Sequence, residues 1–321
     1  MKVLVTGVAG FIGMHCARRL LSRGHVVTGI DNLGASHDVQ LKRDRLALLE
    51  PQAGFSFERL DLVDRAGMAI LFREQAFDAV IHLGAEPAAR YSFENPLAYV
   101  DSNVGGMVSV LEGCRRHGVG HLIYASSYCV HGADASGGMP SFHAAAKRAD
   151  ETMAATYARL YGLPATGLRL FSVYGSWGRP DAAYYRFADA IRAGQPIELH
   201  NEGRMSRDFV HIDDVVELVE RMLVQPPEVD AAGTPHRLYD LGRGRLERIA
   251  DLVSHLERLT GRRASKLPLP MQPGEMEGVP AKLGDMARDF GFAPAIGLAD
   301  GMEEFVAWHR EYNVFQRTRR Q

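Results

Sequence analysis

Gly7, Gly10 and Gly13, set in the run Val5-Thr-Gly-Val-Ala-Gly-Phe-Ile-Gly13, have the spacing of a backbone grip on a pyrophosphate. Glycine lets the chain turn tightly and come close to a phosphate, and the N-terminus of the following helix then points at the negative charge. Asp31 lies 18 residues beyond Gly13, where this arrangement places a carboxylate against the adenosine ribose hydroxyls. A carboxylate there repels a 2′-phosphate, so the chemistry implied is binding of NAD in preference to NADP. Two plainer alternatives stand beside it. A strand-to-helix turn needs glycine whatever it binds, and Asp31 can cap a turn with Asn32 and Gly34.

The elements that must position these residues are legible nearby. Lys2 to Thr6 is a short apolar strand. Ile12, Cys16, Leu20 and Leu21 make a helical stripe ended by Gly24, and Val26 to Ile30 is a second buried strand closing on Asp31. Further strands are expected at 55–59, 79–83, 121–126 and 166–171, with helices at about 65–75, 97–117 and 143–161 between them. Near-continuous apolar strands alternating with helices predict an α/β fold: a doubly wound parallel Rossmann sheet with ligands at the strands' C-terminal ends. Beyond Gly175 prolines punctuate shorter elements, which predicts a smaller C-terminal α/β lobe for substrate. The expected division is 1–175 for the dinucleotide-binding domain, with a return segment at about 208–242 that includes a strand at 237–241. Residues 176–321 then form most of the second lobe.

The 321 residues carry 46% hydrophobic side chains and near-balanced charge, 37 basic against 39 acidic, so neither nucleic acid nor an anionic membrane is called for. The basic end, Arg317-Thr318-Arg319-Arg320, reads as a frayed tail. No signal peptide or long apolar span is present, and a soluble cytoplasmic protein is expected. The three cysteines, Cys16, Cys114 and Cys129, are too scattered for a disulfide framework or zinc site, and the thirteen histidines show no ligand spacing; no metal is expected.

Taken together, these residues resemble the extended short-chain dehydrogenase/reductase family, in its nucleotide-sugar epimerase and dehydratase branch, and most of all the UDP-glucuronate 4-epimerases. The resemblance runs nearly the full length. It comprises the glycine run, Asp31-Asn32, Asp61-Leu62, His82-Leu-Gly-Ala85, Arg90-Tyr-Ser92, Asp101-Ser-Asn103 and Tyr124-Ala-Ser-Ser127. It continues through Leu168-Arg-Leu-Phe-Ser-Val-Tyr-Gly175, Trp177-Gly-Arg-Pro-Asp181, Arg207-Asp-Phe209, Asp213-Asp214 and Gln272-Pro-Gly274. It implies that Gly7, Gly10, Phe11, Ile12, Gly13, Asp31 and Asn32 contact NAD, that Asp61 and Leu62 hold the adenine, and that Ala85 and Asn103 line the dinucleotide. Asp61 as a helix N-cap beside Asp64, and Asn103 as a mid-helix polar contact, are the alternatives.

Catalysis in this family rests on a Ser or Thr together with Tyr-x-x-x-Lys on one helix, where a spacing of four puts the ammonium beside the phenol and lowers its pKa. By resemblance Ser127 is the hydroxyl and Lys147 the lysine, but the tyrosine position is His143. The loop from Gly132 to Pro140 is also short, and Tyr128 and Cys129 replace small or hydroxyl residues. Three readings of His143 follow. The imidazole works as the base, although Lys147 and the nicotinamide cation push its pKa below ~6.5. Or the base is lost and the protein only binds NAD and a UDP-sugar. Or Tyr128 supplies the phenol. The first is the leading expectation. Relatives that eliminate water or carbon dioxide carry an acid where Tyr128 and Cys129 stand, which argues against a dehydratase and, less strongly, a decarboxylase; Asp134 and Glu151 read as loop-tip and helix-surface carboxylates. For substrate, Arg207 resembles the arginine that grips the diphosphate, with Arg179 and Gln272 flanking the nucleotide, Glu275 at its ribose, and Ser172 and Arg90 at a sugar carboxylate. An Arg207–Asp208 salt bridge and a turn role for Gln272 are the alternatives. The family's pairing of the helices at 97–117 and 143–161 implies a homodimer, and its usual setting implies polysaccharide biosynthesis.

Overall fold

Apolar runs near the start of the chain form the strands β1 (Lys2–Thr6), β2 (Val26–Asp31), β3 (Phe55–Arg59), β4 (Ala79–His82), β5 (His121–Ser127) and β6 (Ala165–Leu170). They alternate with α1 (Phe11–Ser22), α2 (Val39–Ala47), α3 (Arg65–Glu74), α4 (Tyr91–Glu94), α5 (Pro96–Tyr99), α6 (Gly106–His117) and α7 (Phe142–Tyr161). There follow β7 (Ser172–Tyr174), α8 (Ala183–Ala193), β8 (Ile197–His200), β9 (Ser206–His211), α9 (Ile212–Leu223) and β10 (His236–Leu241). The last elements are β11 (Leu246–Arg248), α10 (Ile249–Thr260), β12 (Lys266–Leu269), α11 (Gly284–Phe290) and α12 (Leu298–Arg319). The computed structural model describes residues 1–34, 38–87, 91–132, 138–271 and 278–319.

The chain divides into two compact units whose segments interleave. One takes Met1–Leu170, Val216–Asp240 and Gly284–Phe292; the other takes Phe171–Val215, Leu241–Leu283 and Ala293–Gln321. A seven-stranded sheet runs β10-β6-β5-β4-β1-β2-β3, with β1 to β6 pairing in parallel. Strand order reverses between β1 and β4, which is where open parallel sheets of this kind leave a crevice for ligand. There the register sets Thr6 beside His82. The core under one face joins Leu4, Val80 and Leu122 from the sheet to Leu71, Phe72, Met107 and Leu111 from α3 and α6. The second unit holds the three-stranded sheet β11-β9-β7 and the pair β12-β8, around a core of Tyr174, Tyr184, Phe209, Leu252, Met302 and Phe305.

Two expectations change in detail. The segment 97–117 is not one regular helix: α5 passes through a π-helical turn, Val100–Gly105, before α6 begins. The fourth strand stops at His82 rather than Leu83, because the Leu83 and Gly84 amides donate to the Thr6 hydroxyl at 3.1 and 2.9 Å instead of to a neighbouring strand. Among the described residues no helix is long and apolar enough to cross a membrane.

Burial sets an acid limit on stability. Burial, reinforced by the charge of Lys147, brings the His82 pKa down to about 3, and burial brings His121 and His236 to about 4. Each is depressed below its unfolded value of ~6.5, so the stabilisation it gives is complete above that pH and drains away as pH falls toward the folded pKa. His82 alone is expected to cost about 2 kcal/mol by pH 5. Thermal melts should show Tm falling steeply between pH 6.5 and 4, and His82→Asn should flatten that fall.

Candidate active site

The turn from β1 into α1 is built around the three glycines. Gly7 has φ of +68°, a left-handed conformation that costs glycine little, and its amide donates to the Ile30 carbonyl at 2.8 Å. The Gly10 amide donates back to the Gly7 carbonyl at 2.9 Å. A Cβ on Gly13 would lie 2.1 Å from the Gly7 carbonyl oxygen, and one on Gly7 2.8 Å from Gly84 Cα, so the ends of β1 and β4 approach too closely for side chains. The buried Arg45 secures the turn from below by donating to the Ala9 carbonyl at 3.1 Å. α1 therefore starts behind a bare backbone loop, which is the shape and polarity a pyrophosphate requires. The residues present fit a dinucleotide. Phe11 differs from the others in that its side chain is core, edge-on to His15 with ring centroids 5.6 Å apart.

Asp31 ends β2 almost fully buried. Its carboxylate accepts from the Ala9 amide at 3.2 Å and the Leu33 amide at 2.8 Å, with Lys42 Nζ 3.5 Å away. The turn-capping alternative is thus realised by the same oxygens that border the glycine loop, with Gly34 donating to Asn32 Oδ1 at 2.7 Å. Asn32 Nδ2 also donates to Asp61 at 2.9 Å, which brings the two acidic strand ends together. Asp61 does not cap α3; that role falls to Asp64, which accepts from the Gly67 amide at 2.9 Å. Leu62 is core, filling the space that glycine leaves at Gly84 and Gly106. Ala85 follows in the loop after β4. Asn103 lies in the π turn and clamps that loop, accepting from the Glu86 amide at 2.7 Å and donating to its carbonyl at 3.1 Å. A π turn is a common device for aiming one side chain out of helical phase.

Ser127 closes β5, nearly buried, and its hydroxyl accepts from the Cys129 amide at 3.3 Å. Tyr128 is half-buried and opens a short 3-10 turn, Tyr128–Gly132. α7 begins at Phe142 with Ser141 as N-cap, accepting from the Ala144 amide at 3.2 Å. His143 and Lys147 are one turn apart on its buried face, 7% and 4% exposed. The Tyr99 and His143 rings pack nearly perpendicular, centroids 6.1 Å apart. The Lys147 ammonium donates to the Ala125 carbonyl at 2.9 Å, tying α7 to β5 two residues before Ser127, and to Asp150 at 3.0 Å.

Behind this strand runs a buried polar chain that helical spacing does not report. Glu151, read as a helix-surface carboxylate, is 3% exposed. It accepts from the Ser126 hydroxyl at 2.7 Å and from Arg169 at 2.8 and 2.9 Å. Burial pushes its pKa up, but the bonds from Arg169 and Ser126 outweigh burial and hold it below the ordinary carboxylate range. Arg169 reaches toward Asp240 at 3.8 Å, and Asp240 meets His131 Nε2 at 2.8 Å. The chain thus braces both Ser126 and the turn after Ser127. Glu151→Ala leaves an arginine and a hydroxyl without their acceptor and is expected to cost about 3 kcal/mol, read as a lower denaturation midpoint.

The second unit carries the remaining basic candidates. Ser172 opens β7, and Arg179 makes a two-point pair with Asp181. Arg207 lies on β9 and donates to the Ser206 carbonyl at 3.0 Å. Asp208 is taken up by the Arg243, Gly244 and Ala281 amides at 2.6 to 2.9 Å. Arg90, Asp134, Gln272 and Glu275 lie outside the described residues. His211, Asp213 and Glu304 gather closely enough to suggest a cation. The Asp213 amide donates to His211 Nδ1 at 3.3 Å, which leaves the ring proton on Nε2, facing Glu304 at 3.8 Å. Asp213 and Glu304 are both exposed, and exposed acidic groups commonly gather in this way without an ion.

Comparison with known proteins adds the following. The pattern of the NAD dependent epimerase/dehydratase family matches residues 3–238. An uncharacterised 37.6 kDa protein of Escherichia coli O111:H- is 44% identical, over 97% of this chain and 99% of the relative. A probable UDP-glucuronate 4-epimerase of Rhizobium meliloti is 38% identical over 96% and 97% of the two chains. Among solved structures, UDP-glucuronic acid 4-epimerase from Bacillus cereus, in complex with UDP-glucuronic acid and NAD, superposes with a TM-score of 0.88. Its identity is 28%, covering 97% of this chain and 100% of that one.

Proposed function

Because the chain belongs to the NAD-dependent epimerase/dehydratase family, we propose that it is a UDP-sugar 4-epimerase acting on UDP-glucuronate or a closely related UDP-sugar. The observation that carries the reading is the buried face of α7. Lys147 is anchored to the Ala125 carbonyl beneath Ser127, and His143 sits one turn earlier on the same face. Gly7, Gly10 and Gly13 would hold the pyrophosphate of NAD and Asp31 its adenosine ribose, and the chemistry the cofactor would supply there is acceptance and return of a hydride at the sugar's C4.

The chain's own residues handle the proton. His143 Nε2 or Nδ1 takes it from the C4 hydroxyl, Ser127 holds the same oxygen by a hydrogen bond, and His143 returns the proton once the sugar has turned its other face. Lys147 orients the nicotinamide ribose. Imidazole is shorter than phenol, so the sugar must sit closer to α7 than it does where tyrosine is the base. Arg207 is assigned to the diphosphate and Arg179 to the nucleotide side; Ser172 with Arg90 is assigned to the sugar carboxylate, and Gln272 and Glu275 to the uridine end. Asp61, Leu62, Ala85 and Asn103 complete the NAD site. Tyr128 is the reserve candidate for the base.

The protein is further proposed to work as a cytoplasmic homodimer through α6 and α7. Exposed Leu160 and Tyr161 at the end of α7 support this. Incubation of the NAD-loaded protein with UDP-glucuronate should yield UDP-galacturonate on anion-exchange chromatography. Tight binding of both NAD and UDP-glucuronate without any product would instead establish a silent binder, the second reading that His143 keeps in view.

A further inference from the structure

The exchange of tyrosine for histidine reverses the electrostatics that the neighbouring lysine imposes. A phenol becomes a base by losing a proton and turning negative, which an ammonium favours. An imidazole works as a base by gaining a proton and turning positive, which the same ammonium opposes. Asp150 stands where it can cancel that opposition. His143, Lys147 and Asp150 fall at successive turns of α7, all on its buried face, 7%, 4% and 1% exposed. One Asp150 oxygen lies 3.0 Å from Lys147 Nζ, and the other is buried with no hydrogen-bond partner.

We propose that Asp150 is a positioning residue that neutralises Lys147 toward His143, so that a histidine can serve as the proton acceptor in a site otherwise arranged for tyrosine. The inference rests on the reading of His143 as the base. Among the described residues, the π turn packed against α7 carries the exposed Asp101, the 3-10 turn carries Tyr128 and His131, the latter 2.8 Å from Asp240, and Glu86 is held at its backbone by Asn103. β4 presents His82, neutral through burial and through the charge of Lys147. α5 presents the Tyr99 ring, nearly perpendicular to that of His143. β5 presents Tyr124, whose phenol burial holds far above its ordinary range. Glu151 is engaged with Arg169 and Ser126, and Arg148 lies outward at 54% exposure, 3.3 Å from Glu151. Burial raises the Asp150 carboxyl above its ordinary value, and the Lys147 ammonium opposes that rise. Counter-charge for a buried lysine is also what stability alone would ask for, and the test must separate the two roles.

The test compares four NAD-loaded proteins: the natural sequence, Asp150→Asn, His143→Tyr and the double substitution. Two readouts are taken, the pH profile of kcat/KM with UDP-glucuronate and an NMR titration of the His143 ring, assigned by its disappearance in His143→Tyr. The expected result is a sign reversal. With His143 present, Asp150→Asn lowers the ring's titration midpoint by about one unit, carries the acid limb of kcat/KM with it, and reduces the plateau roughly tenfold. With Tyr at 143, the same change leaves kcat/KM equal or raises it. A His143 midpoint that does not move, or a loss of the same size in both backgrounds, overturns the proposal and leaves Asp150 a structural counterion. If none of the four turns over substrate, the epimerase reading has failed, and the NMR midpoint still decides whether Asp150 sets the charge seen by His143.

Discussion

Gly13→Ala should reduce NAD affinity at least roughly 100-fold and lower Tm, because the added methyl would sit 2.1 Å from the Gly7 carbonyl oxygen. No rotamer relieves the clash, since both atoms belong to the backbone turn. Either α1 is pushed away from β1 or the Gly7 peptide flips, and both alter the amides meant for the pyrophosphate. Gly24 is the control. It has φ of +80° but open space around its Cβ position, so Gly24→Ala should cost only about 1 kcal/mol and leave NAD affinity unchanged. Isothermal titration with NAD and calorimetric melting distinguish the two. Equal behaviour of the two variants would mean that the turn's close packing is not what shapes the site.

Lys147→Met should reduce turnover by roughly 10³-fold and destabilise the fold together, since the Asp150 carboxylate, 1% exposed, loses its 3.0 Å partner. The two losses are separable. Adding Asp150→Asn to Lys147→Met removes the stranded charge, so Tm should recover while kcat/KM with UDP-glucuronate stays low. Recovery of both would show that Lys147 matters only as half of a buried pair.

The parts of this molecule legible in its sequence are those governed by local rules. The glycine turn announces itself because backbone approach leaves few alternatives, and β1, β2 and β5 because parallel strands covered on both faces carry apolar runs such as Val3–Val5 and Leu122–Tyr124. The apolar spacing over 97–117 hardly registers an extra residue, so the π turn Val100–Gly105 and the bonds of Asn103 to Glu86 lie beyond it. Asp61 fits two roles by sequence alone, and the bond from the Gly67 amide makes Asp64 the cap. Glu151 is buried, and its spacing carries the signal. It lies four residues beyond Lys147 and eight beyond His143, and a helix face that buries those two buries the third. Its partners Ser126 and Arg169 come from neighbouring strands, a contact that helical spacing does not report. Arg45 under the glycine turn is a tertiary tie of the same kind.

The central claim, oxidation and re-reduction at C4 with a proton passed through His143, is tested most directly with UDP-glucuronate bearing deuterium at C4 in unlabelled water. The account predicts UDP-galacturonate that retains the deuterium at C4, formed at a rate slowed by the label and lost in His143→Ala. Product with C4 hydrogen drawn from water, or no product from a protein that holds both NAD and the substrate, would contradict it.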